Sequence, residues 1–174
     1  EKLERDLWNA ADNLRANSKL TAAQYAMPVL GLIFLRHAHN RFLAVEKELE
    51  PSLPKRGGKP RQLVPKDFIG QAAIYLPPES RYDHLLAQPE GPELPVAVVA
   101  AMTQIEAHNA SLAGILPKAY LGFEPRLLMD LLKTFNNDTL KKASGDVFGK
   151  IYEYFLNKFA QTGAQEGGSY SSPA

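Results

Sequence analysis

The 174-residue chain has no cysteine. That excludes a disulfide framework and a thiolate metal site, and is what a cytoplasmic protein is expected to show. An excess of charge is missing too: 20 Lys+Arg stand against 19 Asp+Glu, a net +1. A role on nucleic acid must then rest on local patches and not on bulk charge. No long apolar run is present. The run at 29–35, for instance, is interrupted by Gly31 and stops at Arg36, far short of the ~20 residues that span a bilayer, so no membrane role is expected. The first residues are charged and show no secretory pattern. Glu1 is not a natural start, so the native N-terminus is expected upstream. Dinucleotide, P-loop and nucleophile-elbow signatures are all absent.

What is present is helical periodicity. Leu3, Leu7, Ala10, Ala11 and Leu14 predict an amphipathic helix that stops near Asn17. Thr21 and Gln24 form a T-x-x-Q capping box for a second helix. Residues 25–35 are apolar on nearly every face, which predicts a buried central helix. From His37 onward only Phe42, Val45 and Leu49 keep an apolar stripe, so the helix is expected to emerge at the surface there. Pro28 lies inside this helix and predicts a kink or a start later than Thr21. Residues 51–65 are rich in Pro, Gly and basic residues and predict an exposed, mobile loop. Residues 67–76 suit either a short helix or a strand over 72–76. Ser80 is a candidate cap for a short helix to Leu86, 88–95 is a second loop, and Pro95 suits a helix's first turn before 96–109. Pro125 opens a helix with Leu127, Leu128, Leu131 and Leu132 inward. The last helix is expected over 146–160, with Phe148, Ile151, Tyr152, Phe155 and Phe159 as its apolar stripe. Residues 162–174 are Gly/Ser-rich and aperiodic. The expected fold class is all-α: an irregular helical bundle with two long loops and a Gly/Ser-rich C-terminal tail.

Few constellations carry chemistry. His37 and His39 lie two apart, and so on different faces of a helix, and His84 and His108 have no ligand-spaced companions. Surface or capping roles suit all four better than a metal site. Glu106 and Glu153 are single carboxylates without an evident partner. Trp8 and the Tyr152/Tyr154/Phe155 cluster suit helix packing better than base stacking. The basic residues are more suggestive. Lys55, Arg56, Lys59, Arg61 and Lys66 crowd one segment with no acid between Pro51 and Asp67, and Arg36 and Arg41 precede it on the second helix. Such a set could neutralise several phosphates of duplex DNA without reading sequence. A solvated, solubilising loop is an equally good account of it. Lys141 with Lys142 makes a weaker cluster.

Three segments, in order, resemble the type I restriction–modification DNA methylation subunit of the N6-adenine methyltransferase family. They are 7–37 (LWNAADNLRANSKLTAAQYAMPVLGLIFLRH), 76–85 (LPPESRYDHL) and 146–173 (DVFGKIYEYFLNKFAQTGAQEGGSYSSP). The last is similar to the family's D-x-x-G-x-x-Y-E-Y-x-L-x-x-F-A helix followed by a Gly-rich hinge and G-x-[FY]-[FYS]-[TS]-P. The resemblance implies a full-length site-specific DNA methyltransferase that transfers a methyl group from S-adenosylmethionine to the adenine N6 amino group. It also implies partners: a specificity subunit, a second methylation subunit and a restriction/translocase subunit. On this reading residues 1–160 are the helical N-terminal domain. Residues 161–174 are the hinge and truncated start of the methyltransferase domain, whose N-P-P-[FY] motif is absent from this chain. By motif match Gly168, Ser169, Tyr170, Ser171, Ser172 and Pro173 would face the cofactor, Ser172 keeping the hydroxyl of the more usual Thr. Six residues cannot enclose a cofactor, so this chain alone is expected to be inactive. The alternative is a helical protein–protein adaptor domain with no nucleic-acid role.

Overall fold

A computed structural model describes residues 1–52, 55–56, 58–60, 62–69, 71 and 73–166. Among the described residues eight α-helices run α1 Lys2–Ala16, α2 Ala22–Leu49, α3 Lys66–Ile69, α4 Tyr82–Leu86, α5 Glu93–His108, α6 Pro125–Thr134, α7 Asp138–Lys141 and α8 Gly145–Glu166. Short 3₁₀ turns interrupt the connections. The fold is the expected irregular all-α bundle, with one local addition. Within 51–65, expected as loop, the backbone forms a small antiparallel ribbon, β1 Lys55–Arg56 and β2 Lys59–Pro60. Gly58 sits in its turn at φ 82°, a conformation that costs glycine little.

The bundle is assembled around α2. Its capping box forms as predicted: Gln24 N–H donates to Thr21 Oγ1 (3.2 Å) and Thr21 N–H to Gln24 Oε1 (3.0 Å). The helix does not start late because of Pro28, which lies inside it. The missing proline N–H deprives only the Gln24 carbonyl, on an exposed residue. The Pro28 carbonyl, in turn, accepts the buried Tyr120 hydroxyl at 2.7 Å. Val29, Leu30, Leu32, Ile33 and Leu35 are all buried, as the all-round apolar run predicts, and Phe42 and Val45 are buried as the later stripe predicts; Arg36, Ala38 and His39 are buried beyond expectation.

Helix α8 runs antiparallel to α2: Tyr25 meets Phe159 and His37 meets Phe148. Trp8 of α1 makes edge-to-face contacts with Phe155 and Phe159 at 5.3 and 4.8 Å, so it is a packing residue. Tyr152 is not part of this stripe; it is 36% exposed, while Phe148, Ile151, Phe155 and Phe159 fill the core. The helix expected to stop at Ala160 continues to Glu166. Gly163 weakens it by roughly 1 kcal/mol, but Ala160, Gln161, Ala164, Gln165 and Glu166 are good helix formers.

Other connections resolve through side chains. Ser80 does not cap α4; its buried hydroxyl donates to Ala101 O at 2.8 Å and ties the 78–80 turn to α5. Residues 73–77 form no strand, and instead the Asn109 amide both accepts from Tyr75 N–H (3.0 Å) and donates to Tyr75 O (2.9 Å). Pro95 lies in the first turn of α5 and Pro125 opens α6 as expected; Leu128, Met129, Leu131 and Leu132 are buried, whereas Leu127 is half-buried.

Gly31, inside the LGLIFL run, has a steric reason. A Cβ there would collide with the Tyr120 hydroxyl and press on Pro117 and Met102. Gly31→Ala should therefore destabilise by about 1–3 kcal/mol in urea unfolding, although alanine ordinarily favours a helix. Tyr120→Phe in the same chain should recover part of that loss, and additive effects of the two changes would show that the hydroxyl is not the obstacle.

Candidate nucleic-acid interface

The basic residues singled out in the sequence fall into two environments. Arg41 is exposed on α2, and its Nη2 donates to Gln71 O at 3.2 Å. Lys66 is exposed at the start of α3. Lys55 and Arg56 lie on β1 and Lys59 on β2, in a register that sets Arg56 opposite Lys59. Arg61 lies outside the described residues, as do Gly168, Ser169, Tyr170, Ser171, Ser172 and Pro173.

Both ends of the basic segment are anchored. On one side it leaves α2. On the other, Phe68 of α3 is buried and stacks on Phe42 of α2 at 5.0 Å and 8°, with Tyr75 set edge-on against both rings. Asp67 accepts the Val64 N–H at 2.8 Å and closes the entry to α3. An acid-free segment is thus held on a rigid stem at the C-terminal half of the central helix.

Arg36 does not belong to this surface. It is 4% exposed, and its guanidinium lies over the Tyr82 ring at 4.6 Å. Nη1 donates to Asn136 Oδ1 at 2.8 Å, Nη2 approaches His39 Nδ1 at 3.2 Å, and the buried Nε has no partner among the described residues. The physical reason is position: Arg36 extends the face of α2 that α4 and the end of α6 cover. Its pKa is lowered by burial, partly offset by Tyr82 and Asp83. Because arginine only donates, His39 Nδ1 must accept, which assigns the neutral Nε2–H tautomer. Nε2 then lies 3.9 Å from Asp83 Oδ1. Burial first and Arg36 second push the His39 pKa down to about 4, against the pull of Asp83. His39 is thus a core histidine and not the surface or capping group its spacing suggested. Tyr82 and Asn136, which complete this buried polar set, carry no signal in the sequence, because they lie 46 and 100 positions from Arg36.

The remaining histidines are structural or peripheral. His37 is half-buried against Phe148 at 4.9 Å, its pKa lowered by burial and by Arg41. His84 contacts Gln88, and His108 contacts Gln104 O and the Tyr75 ring. No group of three potential metal ligands occurs among the described residues. Glu106 does have a partner: Lys118 Nζ lies 2.8 Å away and the Leu116 N–H donates to it at 2.8 Å, pinning the 110–118 loop. Among the described residues no helix is long and apolar enough to cross a membrane.

Fold and surface together define an all-α domain that carries a basic, acid-free segment on a stem beside its longest helix. Comparison with known proteins makes the class specific. The family model "HsdM N-terminal domain" matches residues 3–135, and the model "N-6 DNA Methylase" matches residues 143–174. The chain belongs to the HsdM N-terminal domain family. It is 30% identical over 187 aligned residues to the type I restriction enzyme MjaIX methylase subunit of Methanocaldococcus jannaschii. That alignment covers 99% of this chain but only 33% of the relative, so the chain spans about a third of the relative's length.

The buried histidine makes stability depend on pH. The unfolded chain binds a proton near the ordinary value of 6.5 that the folded chain refuses until about 4. The unfolded state therefore gains protons first, and stability present above pH 6.5 is lost as pH falls toward 4, by up to about 3 kcal/mol. His39→Asn, which keeps an acceptor for Arg36, should flatten that slope in urea melts at a series of pH values. An unchanged slope would place the titration elsewhere.

Proposed function

We propose that this chain is the helical N-terminal domain of a type I restriction–modification methylation subunit. The full-length protein would methylate adenine N6 in DNA with S-adenosylmethionine, and this domain would help hold the duplex and assemble with the specificity subunit, a second methylation subunit and the restriction/translocase subunit. The observation that carries the reading is the order of the two family matches, helical domain first and methylase second, over a chain that aligns almost end to end with a methylase subunit. The cofactor-facing role of 168–173 belongs to the proposal, and the rest of the pocket would come from the methylase fold.

DNA contact is assigned to Arg41, Lys55, Arg56, Lys59, Arg61 and Lys66, with Arg36 withdrawn because it is buried. A segment of this kind acts by phosphate neutralisation. It positions a duplex and leaves sequence choice to another subunit. The adaptor reading shares the fold and differs only in what the basic segment does.

Fluorescence anisotropy with duplex DNA separates the two. The expected result is weak binding that is indifferent to sequence, with log affinity falling by about 0.9 per decade of salt for each phosphate neutralised. Reversing the charge of Lys55, Arg56, Lys59 and Arg61 together should weaken binding of every duplex alike and make it less salt-sensitive, whereas Arg36→Met should lower stability and leave affinity unaltered. If the assembled enzyme keeps full DNA affinity after the fourfold reversal, the segment is not the clamp and the adaptor reading stands. Methyl transfer from labelled S-adenosylmethionine by the 174-residue chain alone would overturn the division of labour proposed here.

A further inference from the structure

We propose that the outer face of α8, with the adjoining turn of α2, is the seat of the methylase domain, so that α8 is one helix shared by two hydrophobic cores. This rests on the reading of the chain as part of a methylation subunit. The helical-domain match ends at residue 135, and the methylase match, 143–174, takes in all of α8. Yet Phe148, Ile151, Phe155 and Phe159 are buried in the helical bundle against Trp8, Tyr25 and Phe135. The face by which α8 would join a methylase core must therefore be a different one.

Such a face is present. Gly145, Gly149, Tyr152 and Leu156 recur at i, i+4, i+7 and i+11, within about 60° of the helix circumference, and all four are exposed. Tyr152 and Leu156 are 36% and 45% exposed, large apolar groups one turn apart. Beside them lies a groove of about 370 Å³ between α2 and α8, bordered by Phe34, His37, Phe148, Gly149 and Tyr152. Gly149 points to the same conclusion. It is not among the positive-φ glycines, and a Cβ on it would meet nothing within 4 Å. Alanine there would favour the helix by roughly 1 kcal/mol. Neither conformation nor any contact among the described residues calls for glycine, whereas close approach of another body does. The occupant is the methylase domain, and not a second copy or another subunit, because the methylase match itself includes this helix.

Hydroxyl-radical footprinting of the 174-residue chain and of the full-length subunit tests this. Phe34, Tyr152 and Leu156 should oxidise readily in the short chain and several-fold more slowly in the full-length subunit at every protein concentration. Val96 and Ile115, exposed elsewhere, should react equally in both. Gly149→Arg should restore oxidation of Leu156 in the full-length subunit without lowering the unfolding midpoint of the short chain, since the glycine itself costs the helix stability. Equal oxidation of Tyr152 and Leu156 in the two forms overturns the proposal. So does protection that grows with concentration or appears only when the specificity subunit is added, since the face then belongs to a second copy or a partner. Adenine methylation by the assembled enzyme is assayed in parallel. Its presence alongside an unprotected face sinks the docking surface alone, and its absence sinks the functional reading beneath it.

Discussion

Enclosure of α2 is the constraint on which the rest of the structure depends. A helix that is apolar on every side over 29–35 cannot lie on a surface, so it must be covered by α8, α4, α6 and α7. Covering it brings polar groups along, and the neighbours satisfy them one by one. Tyr25 donates to Ala11 O, Tyr82 to Leu132 O and Tyr120 to Pro28 O, each from a buried phenol at 2.6–2.7 Å. Burial raises the pKa of all three phenols, which keeps them neutral donors. Asn40 adds a bond from α2 to Leu140 O on α7. These bonds fix how the helices sit around α2, because each joins two different elements and an unmade partner would be costly in the interior.

The polar insertion at Arg36 and His39 follows from the same enclosure. Beyond Leu35 the helix is still covered, but its residues are no longer all apolar. A buried guanidinium is tolerated here by an aromatic face, one amide oxygen and a neutral imidazole. That arrangement holds α2, α4 and the α6–α7 corner in register, and among the described residues it leaves Nε without a partner. Replacing Arg36, His39 and Asn136 together by apolar residues could pack as well or better, whereas removing Arg36 alone strands its partners; what the arginine adds is a directional fit between three elements.

Much of this was legible in residues and much was not, along a physical line. Local signals read correctly: the Thr21/Gln24 box, Pro125 at a helix start and the apolar run of α2 all act within a few residues. Tertiary signals did not. Arg36 reads as surface charge because the groups that bury it, Tyr82 and Asn136, come from distant elements. Ser80 reads as a cap because its true partner, Ala101 O, is 21 positions away. Tyr152 reads as core because its spacing fits the stripe, and only the position of α2 decides which side of α8 is covered. For the interface, composition points to the 55–66 segment, but its stem depends on the Phe42–Phe68 stack, a contact between residues 26 apart.

Helix α8 joins these two levels. Its inner face closes the bundle over α1 and α2, and its length runs without a break through Gly163 to Glu166. A continuous helix transmits rotation that a flexible linker would absorb. Any tilt of α8 must move α2, because Phe148 and Phe159 grip it at His37 and Tyr25, and α2 carries the stem of the basic segment through Phe42 and Arg41. The basic segment and the methylase end of the chain are thus attached to the two helices of one antiparallel pair. In this geometry a displacement of the basic segment would reach α8 through packing alone.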